Sequence, residues 1–202
     1  MYIKAMLVSL VRIIVCISLL TAIFSKNLNA LDFTATGHIS VETGIWKPSS
    51  IDKEPTKPFK NVNGAEITKG LYINSPSISN FSLRTGLFQW QQDDKQNFNA
   101  IEIRHLSLDL KYHILNKFAI IPFTTYGASA IWGREEKNAA LGNNFTYRGV
   151  GFNVGVGLDI LPLKHWGIGV EYQYLYAKFD ASLGLSDNYS GPKLTARIIY
   201  IF

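Results

Sequence analysis

The sequence predicts an all-β protein, an eight-stranded antiparallel transmembrane β-barrel preceded by a cleaved signal peptide. Three observations carry this expectation. Apolar and polar residues alternate with period two, the mark of strands with distinct faces. The alternating runs are mostly 11 to 16 residues long, whereas ordinary strands average about 5–6. Beyond the leading segment no stretch reaches the roughly 18 consecutive apolar residues that a spanning helix needs.

Composition bounds the answer. The chain has 202 residues, 47% apolar and 17% charged, below the roughly one quarter typical of soluble domains and unlike a disordered chain. Its net charge of +5 owes much to Lys4, Arg12 and Lys26, which face no acid in the first 30 residues. Residues 31–202 hold 17 basic and 15 acidic groups, so no nucleic-acid partner is implied.

Residues 1–30 read as the signal peptide. Lys4 makes a positive start, residues 13–24 are an uncharged, largely apolar run, and Leu28-Asn29-Ala30 supplies a small residue before the cut. Arg12 interrupts the run, which is too short for an anchor needing about 20 residues. Cys16 is the single cysteine and falls in this segment; Val15 before it does not suit a lipoprotein signal. The mature domain, 31–202, is thus expected to have no thiol and no disulfide.

Strands are expected near 32–46, 64–74, 79–90, 100–114, 117–134, 148–161, 165–180 and 191–202. The second is the least regular, because Gly64–Asn74 alternates poorly. Residues 105–114 set Leu106, Leu108, Leu110, Tyr112 and Ile114 against His105, Ser107, Asp109, Lys111 and His113. Residues 148–161 set Val150, Phe152, Val154, Val156, Leu158 and Ile160 against Gly149, Gly151, Asn153, Gly155, Gly157 and Asp159. The next strand opposes Trp166, Ile168, Val170, Tyr172, Tyr174 and Tyr176 to Gly167, Gly169, Glu171 and Gln173. The last opposes Leu194, Ala196, Ile198, Tyr200 and Phe202 to Lys193, Thr195 and Arg197. Bulky apolar faces against glycine and isolated charges suit lipid outside and a narrow lumen inside.

Connections alternate in length. Short turns fall at Ser75-Pro76-Ser77, Leu115-Asn116-Lys117 and Pro162-Leu163-Lys164; longer loops fall at 47–63, 91–99, 135–147 and 181–190. That asymmetry, with an even strand count, places both termini in the periplasm and the long loops outside the cell. Trp46, Trp90 and Trp132 at the outer strand ends, with Trp166 and Phe202 at the inner ends, read as interfacial anchors.

The last third of the chain resembles the small eight-stranded outer-membrane proteins of the OmpA/OmpX-like group. Gly149–Leu161 (GVGFNVGVGLDIL) and Gly167–Phe179 (GIGVEYQYLYAKF) are similar to the group's late strands. Lys193–Phe202 (KLTARIIYIF) resembles the alternating, Phe-ended signature read by the barrel-assembly machinery. The resemblance implies a bacterial outer membrane, and Tyr200 and Phe202 as the assembly signal. With the barrel expected to run to Phe202, the peptidoglycan-binding domain of longer relatives is not expected.

Candidate chemistry lies in the lumen. Glu42, Arg84, Asp109, Lys111, Glu171 and Arg197 are expected to project inward as an ion-paired plug, since a charge beside lipid or buried alone is costly. The alternative is a gated path for ions or hydrophobic solutes. His105, Ser107 and Asp109 offer imidazole, hydroxyl and carboxylate on one face. Residues two apart on a strand lie about 6.6–6.8 Å apart, too far for a nucleophile and its base. They also face inward, where a lipid A-modifying enzyme would need a lipid-facing site.

His38, His113 and His165 show no metal-ligand spacing, and neither cofactor nor metal is expected. Asn144-Phe145-Thr146 and Asn188-Tyr189-Ser190 match a glycosylation pattern that carries no weight in a bacterial protein. Loop 47–63 carries Lys47, Lys53, Lys57 and Lys60 against Asp52 and Glu54. It reads as a solvated cap, or as a contact with lipopolysaccharide phosphates or an anionic host surface.

The expected function is therefore structural or surface-interacting rather than enzymatic. The alternatives are a lipid A-modifying enzyme, a small channel, and a soluble lipocalin-like binder whose apolar faces point inward. N-terminal sequencing of protein extracted from outer membranes is expected to begin at Leu31; a chain retaining Cys16 would overturn the signal assignment.

Overall fold

The computed structural model describes residues 37–48, 66–94, 99–115, 119–137, 143–161, 163, 165–183 and 186–202. The expected signal peptide, residues 32–36 of the first expected strand and most of loop 47–63 lie outside the described residues. So do Asn116, Lys117, Pro162 and Lys164 of the expected turns.

Among the described residues nine strands form: β1 His38–Trp46, β2 Glu66–Asn74, β3 Phe81–Asp94, β4 Asn99–His113, β5 Ile120–Lys137, β6 Asn143–Ile160, β7 Trp166–Leu183, β8 Ser186–Asn188 and β9 Gly191–Ile201. Eight of them make a closed antiparallel ring. Each of β1 to β7 pairs with the next, β9 pairs with β7, and β1 closes the ring on β9 from His38↔Ile201 to Trp46↔Lys193. The three-residue β8 is a short addition to β7, with Lys178↔Asn188 and Leu183↔Ser186. Closure leaves no free edge, which is what allows a sheet to sit in lipid.

Side chains alternate strictly between the two faces. In β1, His38, Ser40, Glu42 and Trp46 are buried, while Ile39, Val41 and Ile45 are exposed. Lining the outside are Leu71, Leu83, Leu87, Leu108, Val150, Val154, Ile168, Leu194 and Ile198, each about half exposed or more. That exterior is aliphatic and aromatic, as contact with acyl chains requires.

At the end of the ring away from the termini the polarity of the two faces reverses. Ile101, Ile103, Phe179 and Leu183 point inward, and Arg104, Arg148, Lys178 and Asp180 point outward. This reversal corrects the expected loop bounds. β3 runs on to Asp94, β5 to Lys137 and β7 to Leu183, while β6 starts at Asn143. Loops expected at 91–99, 135–147 and 181–190 are correspondingly shorter. β5, β6 and β7 have 18 residues each, where a tilted strand needs only about 9–11 to cross the hydrocarbon. The surplus forms a rim with a core of its own, and there the outward alternation no longer looks lipid-facing.

β2 keeps the same alternation despite its irregular sequence. Ile67, Lys69, Leu71 and Ile73 point out, and Thr68, Tyr72 and Asn74 point in. The pattern looked poor because a lysine stands outside and a tyrosine inside.

The connection from β2 to β3 holds a tight turn. Ile78 and Phe81 exchange both backbone hydrogen bonds, at 2.8 and 3.0 Å, around Ser79-Asn80. Ser79 has φ 51°, a left-handed conformation that glycine adopts without strain and that a two-residue hairpin turn asks for at its first central position. Ser79→Gly is expected to stabilise the barrel by up to about 1 kcal/mol. The temperature at which the folded band is lost on an unboiled gel should rise; a fall would refute the strain.

Candidate functional site

The inward side chains of the middle of the barrel form one electrostatic layer. β1 contributes Glu42, β3 Arg84, β4 Asp109 and Lys111, β6 Asp159, β7 Glu171, and β9 Lys193 and Arg197. All eight are essentially buried, none more than 5% exposed. Their charges, four carboxylates against four cations, cancel.

Two guanidinium groups organise the layer. Arg84 donates to Asp109 (Nε to Oδ2, 2.9 Å) and to Glu171 through both terminal nitrogens (2.5 and 3.2 Å). Its Nη1 also lies 3.8 Å from Glu42. Arg197 holds Asp159 with Nε and Nη2, at 2.9 and 2.6 Å, and reaches Glu171 at 2.9 Å and Glu42 at 3.3 Å through Nη1. Such forked, charge-assisted contacts are the strong kind. Lys111 donates to Asp159 at 2.6 Å. Neutral donors complete the acids: Thr125 and Gln173 donate to Glu171 at 2.7 and 2.8 Å, and Asn153 donates to Asp109 at 2.9 Å.

Three rings sit among the cations. Tyr72 faces the Arg84 guanidinium at 4.9 Å, and Phe123 lies 4.1 Å from the Lys111 ammonium and 4.5 Å from the Arg197 guanidinium. Lys193 lies 4.2 Å from the Phe88 ring and donates to the Tyr72 hydroxyl at 3.3 Å. Cation–π contact of this kind gains strength where water is excluded.

Apolar packing closes the layer on both sides. Toward the termini lie Ile121, Ile199 and Ile201, with Leu161 against them. Toward the far end, Trp46 packs edge-on against Trp90 at 5.4 Å and Phe88 at 5.8 Å, over a cluster that includes Ile103, Phe179 and Leu183. Tyr189, between β8 and β9, covers this cluster. Its ring meets Phe179 edge-on at 5.6 Å and its hydroxyl donates to the Leu183 carbonyl at 2.6 Å. Burial pushes the Tyr189 phenol above the usual tyrosine value, with Glu135 and Tyr147 adding to the shift, so it stays neutral and keeps donating.

The six charged residues expected in the lumen, Glu42, Arg84, Asp109, Lys111, Glu171 and Arg197, thus meet in one network. Asp159 and Lys193 belong to it as well, and the inward parity of their strands was the signal for both. Two of the four tryptophans need correction. Trp46 and Trp90 are fully buried inside the barrel rather than anchored at an interface, because each shares the parity of an inward charge, Glu42 in β1 and Arg84 in β3. Trp132 and Trp166 point outward, 37% and 50% exposed. Tyr200 and Phe202 also point outward, with Trp166 edge-on to Tyr200 at 5.0 Å.

His105, Ser107 and Asp109 line the lumen without forming a relay. Ser107 reaches Asp109 at 3.5 Å. His105 instead stacks on Phe88, with ring centroids 4.5 Å apart, and its buried nitrogens have no hydrogen-bond partner among the described residues.

A closed ring with an apolar exterior around a charge-balanced, side-chain-filled interior defines a transmembrane β-barrel. The model of the outer membrane protein beta-barrel domain matches residues 16–202, and the chain belongs to that family. No curated protein matches the sequence. Among solved structures, the fold is similar to Neisserial surface protein A, with TM-score 0.64 and 10% identity over 82% of this chain and 97% of that one. It is also similar to the N-terminal β-barrel domain of Pseudomonas aeruginosa OprF (0.55, 12% identity, 82% and 97% covered) and to Ail, the attachment invasion locus protein of Yersinia pestis (0.51, 12%, 83% and 97%). At these identities the likeness is one of fold. The protein is an outer-membrane barrel.

The two glutamates of the network should differ in weight. Glu171 receives Arg84, Arg197, Thr125 and Gln173, whereas Glu42 lies at 3.3 Å from Arg197 and 3.8 Å from Arg84. Removing one partner of a buried pair costs about 3–5 kcal/mol. Glu171→Ala is expected to lose the folded gel band at a lower temperature than Glu42→Ala. Equal losses would mean that charge balance alone, and not the contacts, sets stability.

Proposed function

We propose that this protein is a non-enzymatic structural or surface-interaction barrel whose lumen is plugged by ion pairs. The observation that carries the reading is the neutral layer of four acids and four cations held between two apolar clusters. An eight-stranded barrel has an interior just wide enough for side chains to fill. An ion entering it would have to displace buried, mutually paired charges, and such a displacement leaves uncompensated charge in a low-dielectric site. The catalytic reading is weakened by His105, which rests on Phe88 and not on Ser107.

The termini face the periplasm in this reading, and the rim built from the ends of β3 to β7 stands outside the cell. The polar outer surface and apolar inner surface of that rim support the orientation, since a stub in water must carry its core inside. The terminal strand, with Tyr200 and Phe202 outward, is offered to the barrel-assembly machinery. Lipid and lipopolysaccharide surround the wall, and the loops are left for an envelope or host surface.

Purified protein in a planar bilayer is expected to give no steady openings, and lipid A from cells with and without the gene is expected to give the same mass spectrum. Stable conductance would overturn the plug; a changed acyl pattern would overturn the non-enzymatic assignment.

A further inference from the structure

The outer wall carries a row of cations where its apolar band gives way to the charged rim. Lys69 of β2 points outward between Ile67 and Leu71, which are 63% and 50% exposed. No carboxylate among the described residues pairs with it. A cation on a lipid-facing wall is costly unless something anionic meets it there.

Its neighbours suggest what does. The register places Lys69 beside Gln89 of β3, and Gln89 beside Arg104 of β4, so three outward polar side chains form one row across three strands. Arg104 is well exposed, and it gives Nε to Glu102 at 2.7 Å. Gln89 donates its amide to the same Glu102 oxygen at 2.8 Å, so Glu102 fixes both side chains at the row. One step along the strands toward the terminal end, Leu71 pairs with Leu87 and Leu87 with Leu106, an aliphatic floor. Between row and floor is an open depression of about 340 Å³, lined by Lys69, Gly70, Leu71, Leu87, Phe88, Gln89 and Arg104.

We propose that this depression is a seat for a phosphorylated, multiply acylated glycolipid of the outer leaflet, of the lipid A class. Lys69 and Arg104 take one phosphate between them while acyl chains lie along Leu71, Leu87 and Leu106. Adjacent strands are about 4.8 Å apart, so the two cations flank the row at a span that one phosphate and two long side chains can bridge. Glu102 holds the Arg104 Nε, which leaves the Arg104 terminal nitrogens and the Lys69 ammonium as donors, and a phosphomonoester brings three acceptor oxygens and about −1.5 to −2 charges near neutral pH to meet them. The cations lie toward the rim and the floor toward the termini. The identification with the outer leaflet therefore rests on the orientation given under the proposed function.

The test uses the full-length protein in phosphatidylcholine nanodiscs doped with bisphosphorylated lipid A, dephosphorylated lipid A or phosphatidylglycerol, with retained lipid read by native mass spectrometry. The wild type is expected to retain bisphosphorylated lipid A in preference to the other two. K69Q/R104Q should lower that retention about tenfold or more, at roughly 1 kcal/mol for each interfacial cation. K178Q, which removes an outward cation from β7 across the ring, should leave retention unchanged. Heat-modifiable gel mobility checks that each variant is folded. Undiminished retention in K69Q/R104Q overturns the seat, as does equal retention of phosphatidylglycerol or of dephosphorylated lipid A. Orientation is read separately, from the accessibility of a tag inserted after Lys53 on whole cells. A hidden tag would refute the orientation while the lipid retention still judged the row of cations itself.

Discussion

Charge balance in a space closed off from solvent governs this barrel. Each of the eight charged groups in the middle of the lumen is cut off from solvent, so its partners must be other inward groups: opposite charges for all but Lys193, which meets the Tyr72 hydroxyl and the Phe88 ring. Backbone ladders tie each strand only to its neighbours. The two arginines reach further: Arg84 on β3 touches acids on β4, β7 and β1, and Arg197 on β9 touches acids on β6, β7 and β1. These cross-lumen ties work only in one register. A slip of one residue in any contributing strand would turn its charge to lipid and leave its partners unpaired. The network therefore specifies the pairing, whatever its net contribution to stability.

Filling so narrow an interior also constrains size. A Cβ on Gly86 would run into the Tyr72 ring, one on Gly157 into Phe123, and one on Gly127 into the Asp109 carboxylate. These three glycines are vacated volume, each opposite a side chain that the ion layer needs. The same rings that occupy those vacancies carry the faces on which Arg84, Lys111 and Arg197 rest. Alternation of small and large residues along the strands and pairing of charges across the lumen are thus two parts of one packing problem.

Much of this was legible in the sequence because period-two alternation reports which residues share a face. It placed all but the ends of the eight long strands, and it put Glu42, Arg84, Asp109, Lys111, Glu171 and Arg197 on one side. What it does not report is depth along the strand. Near the rim both faces change character, apolar inside and charged outside, and the polar stretches 91–94, 135–137, 143–147 and 181–183 read as loop. The strands β3, β5, β6 and β7 are therefore each expected several residues short at the rim end. Lys69 obscured β2 for the same reason, a polar side chain on a face otherwise given to Ile67, Leu71 and Ile73.

Trp46 and Trp90 show which rule should prevail when two sequence signals conflict. Tryptophan at a strand end is commonly an interfacial anchor, and that association placed both outside. Parity is a stronger constraint, because in an unbulged strand the pleat fixes every second side chain to one face. The ladders of β1 with β2 and of β3 with β4 run without a register shift, so Trp46 must follow Glu42 inward and Trp90 must follow Arg84. Association with a location varies with context, whereas pleat geometry does not. The two indoles then find their role in the interior, sealing the ion layer from the rim side, where a small residue would have left the lumen open above Phe88.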